Sequence, residues 1–238
     1  MRGPAEPDPP PRDDGDDGDE DEDDEEDDDD DEDEHEEPPP RMVSFVRHGE
    51  AEHNARRGQP NAMSVLDPAL TRRGEEQARE LAAAVRDSGR SFDVVVTSPL
   101  RRAMQTAKLA FGHLEADGCE FVVSPLHTES GRRYRAQQGR SRSTLRSEFP
   151  TWDFSGLVSV GPEASLTWTT AARGGAGYMH PKPPSRRLGQ FRRFLLALER
   201  SKRVVVVGHS GTLLKLVGRK MKNCEMVLDH AVRARAAA

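Results

Sequence analysis

Short apolar runs recur along the chain, each bounded by polar residues. They lie at residues 42–46, 94–97, 121–123 and 203–207, and the last of them contains four consecutive valines. Runs of this length predict strands that are buried on both faces of a sheet. Residues 226–228 are a further candidate, for an edge strand.

Apolar residues at helical spacing follow the first two predicted strands. Thr71 is a candidate N-cap, Gly89 would end the helix, and its apolar face would contain Ala78, Leu81, Ala82 and Val85. Ser98 and Pro99 are predicted to be the N-cap and first residue of a second helix, which runs to about Ala110.

Two further helices are predicted in the second half of the chain. One spans residues 186–200, and the other begins within residues 213–217. Residues 124–187 are rich in Arg, Ser, Gly and Pro and show no periodicity, so they are predicted to be irregular. Strands that alternate with helices predict the α/β class, here a three-layer α/β/α sandwich with a mostly parallel central sheet.

Charge divides the chain into two unlike parts. Residues 1–40 contain 24 acidic residues and two arginines, a net charge of −22, whereas residues 41–238 contain 18 acidic and 33 basic residues, a net charge of +15. The first part has almost no apolar residues to bury, so burial cannot offset the entropy of ordering it. We therefore expect a disordered acidic tail over residues 1–40 and one folded domain over residues 41–238.

Several classes of protein are disfavoured by composition. No apolar run approaches the roughly 18 residues of a membrane span, and the N-terminus resembles neither a signal peptide nor a transit peptide. The two cysteines, Cys119 and Cys224, make neither a disulfide framework nor a zinc motif. We expect an intracellular protein, in the cytoplasm or alternatively in the nucleus.

Polar residues follow four of the predicted strands. They are Arg47 with His48, Arg102, Glu129 and His209. Because ligands bind beyond the carboxyl ends of parallel strands, these side chains are expected to converge. Two guanidinium groups beside two histidines disfavour a metal ion and favour a phosphate, so we expect neither a metal nor another cofactor.

Four motifs resemble those of the histidine phosphatase superfamily, in its phosphoglycerate mutase-like branch. They occur in the family's order and cover most of residues 42–228: Arg-His-Gly-Glu at 47–50 with Asn54, Leu-Thr-x-x-Gly-x-x-Gln-Ala at 70–78, Ser-Pro-Leu-Arg-Arg-Ala-x-x-Thr-Ala at 98–107, and Val-Gly-His-Ser-Gly at 207–211. The resemblance implies that residues 41–238 are a histidine phosphatase-like catalytic domain.

The resemblance also implies roles for individual residues. His48 would be the phosphorylated nucleophile, and Arg47 and Arg102 would bind the phosphoryl oxygens. His209 would be a second histidine of the pocket, which donates to the phosphoryl group. A neutral histidine can attack phosphorus, and neighbouring positive charges favour the neutral ring.

Two further roles rest on the same resemblance. Asn54 would help to hold the substrate or its phosphate. Glu129 follows the third predicted strand and is the candidate general acid; Glu50, Glu52 and Asp153 are its rivals.

The expected function is metal-independent hydrolysis of phosphomonoesters through a phosphohistidine on His48. The substrate would be a small-molecule phosphate ester. A phosphoglycerate mutase that uses the same histidine is the alternative, and a non-enzymatic protein that binds a phospho-ligand or nucleic acid is a weaker one. Nucleic acid is disfavoured because Tyr134 is the one aromatic residue between Arg132 and Arg146, where the arginines are concentrated.

A cluster of arginines follows Glu129. It contains Arg132, Arg133, Arg135, Arg140, Arg142 and Arg146. We expect part of it to bind a second anionic group of the substrate; a solvated basic loop is the other interpretation.

Overall fold

The computed structural model describes residues 39–129, 134–157, 169–170, 178–179 and 184–233. The predicted acidic tail lies outside these residues, except for its last two positions. Arg132 and Arg133 of the arginine cluster lie outside them as well.

Five strands form the central sheet: β1 (Arg41–Arg47), β2 (Val94–Thr97), β3 (Glu120–Val123), β6 (Val204–Gly208) and β7 (Met226–Val232). Their order across the sheet is β3-β2-β6-β1-β7. β1 is parallel to β6, β6 to β2, and β2 to β3, while β7 runs antiparallel to β1. The four predicted strands are therefore confirmed, and the predicted edge strand is longer than expected.

Both faces of the sheet are covered by helices. Val95 and Val205 belong to a buried cluster that includes residues of α2 (Arg72–Asp87) and α3 (Arg101–Phe111). Val96 and Val206 belong to a second cluster that includes residues of α5 (Pro184–Ala197) and α6 (Ser210–Val217). Successive valines point to opposite faces of a strand, so an unbroken valine run can fill both clusters. The predicted three-layer α/β/α fold is confirmed.

The start of α3 differs from the prediction. Thr71 does cap α2, since its Oγ1 accepts a hydrogen bond from the Gly74 amide at 3.0 Å. Ser98 and Pro99, however, precede α3, which begins at Arg101 with Leu100 in the N-cap position. The prediction for Ser98 was wrong because its hydroxyl contacts a distant histidine instead, as described below.

Short elements interrupt the segment that was predicted to be irregular. α4 (Arg142–Glu148) lies there, as does a two-stranded antiparallel sheet of β4 (Thr169–Thr170) and β5 (Tyr178–Met179). A short α-helix, α1 (Glu52–Ala55), also follows β1, where no helix was predicted. α6 begins at Ser210, three residues before the predicted start. Leu145 is the only buried residue of α4, so the sequence offered no period to detect.

Arg41 anchors the amino end of β1 to the end of α5. Its guanidinium donates to the carbonyl oxygens of Leu198, Glu199 and Lys202, at 2.7, 2.9 and 2.6 Å. These carbonyls belong to the turn that follows the last residue of α5, Ala197, and leads into β6. No helix in the described part of the chain is both long enough and apolar enough to span a bilayer.

Candidate active site

Two histidines and an arginine meet at the carboxyl ends of the parallel strands. His48 follows β1 and His209 follows β6, and the centroids of their rings are 5.2 Å apart. Arg102, in the first turn of α3, places its Nε 3.3 Å from His48 Nε2. All three side chains are buried. The structure thus brings together three of the residues that the sequence selected.

The hydrogen bonds of His48 determine which ring nitrogen carries the proton. Nδ1 lies 2.7 Å from the Gly49 carbonyl oxygen, which can only accept. The proton is therefore on Nδ1, and the lone pair of Nε2 accepts from the Nε–H of Arg102. Nε2 is the nitrogen left with a nucleophilic lone pair.

His48 is neutral at neutral pH. Burial, followed by the charge of Arg102, lowers the pKa of the ring well below its ordinary value of 6.5. The charge of Arg47 lowers this pKa further, and the bond to Gly49 opposes the shift without reversing it. A neutral ring is the form that can attack an electrophile.

Arg102 is held by a segment far along the chain. Its Nη1 donates to the Ala136 carbonyl at 2.8 Å, and its Nη2 donates to Gln137 Oε1 at 2.7 Å. Burial lowers the pKa of Arg102 to about 10, and the carboxylates of Asp67 and Glu129 oppose that shift. The guanidinium is therefore still a cation at neutral pH.

His209 is a second neutral ring beside His48. Its Nε2 lies 2.7 Å from Ser98 Oγ, and that oxygen accepts from the Leu100 amide at 3.4 Å. The Ser98 hydroxyl has one proton to donate, and when it donates to Nε2 the proton of the neutral His209 ring is on Nδ1. His209 Nδ1 is buried without a partner among the described residues. Burial, and then Arg102, lowers the pKa of His209 well below 6.5.

Arg47 and Glu129 complete the cluster. Arg47 Nη1 donates to the Met221 carbonyl at 2.8 Å. Burial lowers the pKa of Arg47, whereas the Glu129 carboxylate raises it. Glu129 Oε2 accepts from the Gly211 amide, in the first turn of α6, at 2.9 Å. Five of the six predicted residues therefore share one edge of the sheet, although their roles stay predictions.

The loop that carries Glu129 is fixed between α5 and α6. The buried Arg187 of α5 places its Nη1 2.6 Å from both the carbonyl oxygen and Oγ1 of Thr128. From α6, Thr212 Oγ1 donates to the same carbonyl at 3.1 Å. Thr128 immediately precedes Glu129, so these bonds limit the movement of the carboxylate.

The second motif supports the loop that follows His48. The Glu50 amide donates to Gln77 Oε1 at 2.9 Å, and the Glu50 carbonyl accepts from the Thr71 amide at 2.9 Å. Gly74 of α2 packs directly on this loop, where a Cβ would lie 2.0 Å from the Glu50 carbonyl oxygen. The loop after the nucleophile is therefore held against the start of α2 by main-chain contacts and by the side chain of Gln77.

Asn54 has partners within its own turn. Its Oδ1 accepts from the Ala51 amide at 3.1 Å, and its Nδ2 lies 3.0 Å from His53 Nε2. The expectation that Asn54 holds the substrate directly stays a prediction.

Sequence reasoning gave no role in the site to His53, Asp67, Gln137 or Ser98, the last of which was predicted only to cap a helix; all four lie close to the predicted site residues. His53 and Ser98 stand inside recognised motifs, so their positions could have drawn attention. Asp67 is buried, its Oδ1 accepts from the Arg101 amide at 2.9 Å, and burial raises its pKa to about 6. No periodicity or motif marks Asp67 or Gln137.

Within the described part of the chain, no group of three His, Cys, Asp or Glu residues is arranged to hold a metal ion.

Comparison with known proteins supports the resemblance seen in the sequence. The profile of the histidine phosphatase superfamily (branch 1) matches residues 43–156. A 2,3-bisphosphoglycerate-dependent phosphoglycerate mutase of Bartonella henselae is 25% identical over 183 residues, which cover 74% of this chain and 80% of that one. An uncharacterized phosphatase of Bacillus subtilis is 43% identical over 67 residues, 28% of this chain and 32% of that one.

Other curated mutases are matched over about half of their own length. Among solved structures, the ecdysone phosphate phosphatase of Bombix mori superposes with a TM-score of 0.52 at 17% identity, covering 78% of this chain and 87% of that one. That likeness supports the fold. With its four motifs, its family profile and its mixed sheet, the chain belongs to the histidine phosphatase superfamily.

Proposed function

We propose that the chain is a metal-independent phosphomonoesterase that works through a phosphohistidine on His48. One observation carries the proposal: a buried, neutral His48 has its proton fixed on Nδ1 and its Nε2 lone pair turned toward the guanidinium of Arg102. A nucleophile beside a cation is suited to attack a phosphate, since the cation neutralises the charge of the phosphoryl group.

In the first step, His48 Nε2 attacks phosphorus as the ester P–O bond breaks. Arg47, Arg102 and His209 hold the non-bridging oxygens, and the Glu129 carboxyl gives its proton to the departing alkoxide. Of the rival acids, Glu50 Oε1 accepts from Thr71 Oγ1 at 2.8 Å. Asp153 accepts from the amide of Ser155 at 2.7 Å. Glu129 also accepts a hydrogen bond, from the Gly211 amide, but its charge acts on both Arg47 and Arg102, which favours it as the acid of this site.

In the second step, water attacks the phosphorus of phosphohistidine as the N–P bond breaks. The Glu129 carboxylate takes the proton of that water, and phosphate and the neutral His48 are regenerated. The substrate would be a small-molecule phosphate ester inside the cell, where the two free cysteines, Cys119 and Cys224, would stay reduced.

The test uses the full chain with p-nitrophenyl phosphate and a panel of sugar and alkyl phosphates. We expect phosphate release that EDTA leaves unchanged, and an acid-labile phosphoryl label that His48→Ala removes. His113→Ala is the control, because this partly buried histidine lies beyond the far end of α3 from the site. Inhibition by EDTA that a divalent metal reverses would contradict the mechanism.

A mutase is the second candidate, and the Bartonella henselae relative favours it. Such an enzyme returns the phosphoryl group to the substrate before water can remove it. With 3-phosphoglycerate, formation of 2-phosphoglycerate faster than free phosphate would identify a mutase, whereas phosphate alone would identify a phosphatase.

A further inference from the structure

His53 is a buried histidine beside the nucleophile that the proposed steps do not use. It lies in α1, directly after the loop that carries His48, and the centroids of the two rings are 6.1 Å apart. Its side chain is 9% exposed. Arg102 and Arg47 are both near enough for their charges to act on the ring.

The contacts of Asn54 determine the tautomer of His53. The Ala51 amide must donate, so the atom of Asn54 that it meets at 3.1 Å is the oxygen. The other end of the amide is therefore the NH2 group, which donates to His53 Nε2 at 3.0 Å. Because Nε2 accepts, a neutral His53 carries its proton on Nδ1.

That Nδ1–H is a buried donor without an acceptor in the described part of the chain. Burial, followed by the charges of Arg102 and Arg47, lowers the pKa of His53 to about 3, so the ring is neutral at the pH of most assays. Buried donors are nearly always satisfied in proteins, so an unsatisfied one calls for an acceptor, such as water or a ligand, that explains it. Of the buried atoms without a partner in the described part of the chain, His53 Nδ1 and His209 Nδ1 belong to the two histidines whose rings lie beside His48.

We propose that His53 is a further catalytic residue, whose Nδ1–H donates to a non-bridging oxygen of the phosphoryl group on His48. It pairs with His209, so that two neutral rings and two guanidinium groups surround the phosphoryl oxygens. Asn54 is then a positioning residue that acts through His53. This inference rests on the proposed function, since the acceptor is the phosphoryl group that His48 receives.

The test compares three variants of the full chain with the wild type. In His53→Asn the amide nitrogen is as many bonds from the backbone as Nδ1, and in His53→Gln it is as many as Nε2. His53→Phe keeps an aromatic ring and removes both nitrogens. The readouts are kcat and KM for p-nitrophenyl phosphate and the Kd for orthovanadate, which mimics the transition state of phosphoryl transfer.

A hydrogen bond to a charged acceptor predicts a loss of about 10- to 100-fold in vanadate affinity and kcat for His53→Phe and His53→Gln. His53→Asn should stay within about threefold of the wild type, since it restores a donor at the position of Nδ1. Asn54→Asp should lose as much as His53→Phe, because a carboxylate draws the proton to Nε2. His113→Asn is the control and should change neither value.

Two results would overturn the inference. One is a His53→Phe variant that binds vanadate like the wild type. The other is an equal loss in all three variants with a lowered unfolding temperature, which would show a structural role only. If the wild type binds vanadate in a His53-dependent manner but hydrolyses no ester, the proposed function fails and the contact stands. If the wild type binds no vanadate, both fail.

Discussion

A single methyl group added at Gly74 should destabilise the protein, even though Gly74 lies inside helix α2. By helix propensity alone, replacing an internal glycine with alanine gains about 1 kcal/mol. Here the new Cβ would lie 2.0 Å from the carbonyl oxygen of Glu50, 2.8 Å from its carbonyl carbon and 2.9 Å from its amide nitrogen. All three are main-chain atoms, so no side-chain rotation can relieve the overlap.

The size of the effect follows from these opposing terms. Overpacking typically costs about 1–3 kcal/mol, and a clash with fixed backbone belongs at the upper end of that range. After the gain in propensity, Gly74→Ala should lose about 2 kcal/mol, which lowers the Tm of a domain of this size by about 4–8 °C. The displaced loop carries His48, and a shift of about 1 Å in a reacting group can cost about 100-fold in kcat.

Gly189→Ala is the matched control. Gly189 also lies inside a helix, α5, but a Cβ there would meet no atom within 4 Å. It should therefore gain up to about 1 kcal/mol from propensity and leave kcat unchanged. Urea unfolding measures both free energies, and p-nitrophenyl phosphate measures both rates. A Gly74→Ala variant as stable and as active as Gly189→Ala would refute the close contact between α2 and the loop.

Three further predictions concern buried arginines. Arg102→Gln should raise the pKa of His48 from its lowered value, so that more of the ring is protonated and unreactive at acid pH than in the wild type; the ring protons in NMR would report it, and an unchanged pKa would mean that the charge of Arg102 does not help to set the value. Arg187→Met should slow alkyl phosphates about tenfold more than p-nitrophenyl phosphate, because the poorer leaving group depends more on a well-placed Glu129; equal slowing would indicate a general loss of structure. Arg41→Ala should lower the free energy of unfolding by about 2–3 kcal/mol, since three carbonyls lose their donor, and should leave kcat unchanged; stability equal to the wild type would contradict the anchoring of β1 to α5.

The strands, and the edge of the sheet where the site lies, could be predicted because apolar runs and the residues that follow them are local features of the sequence. Val204–Val207 and Val94–Val96 are buried on both faces, and a continuous β-branched run marks such a strand without any knowledge of its neighbours. Once the sheet is parallel, the rule about carboxyl ends places His48, Arg102 and His209 together. The sequence could not predict which strand lies beside which, or that β7 runs antiparallel.

The contacts that hold the site are non-local, and sequence could not predict them. Arg102 and Gln137 are 35 residues apart in a region without periodicity, and His209 and Ser98 are 111 apart. Ser and Pro are common residue types at the start of a helix, yet the Ser98 hydroxyl makes its hydrogen bond to His209, which follows a different strand.

The hold on Arg102 has an evolutionary consequence. One of its two acceptors in the 135–137 turn is the backbone oxygen of Ala136, and every amino acid supplies such an oxygen. The exposed side chains of Tyr134 and Arg135, next to this oxygen, can therefore change without removing that contact. Gln137 is under a stricter constraint, because its side chain supplies the other acceptor.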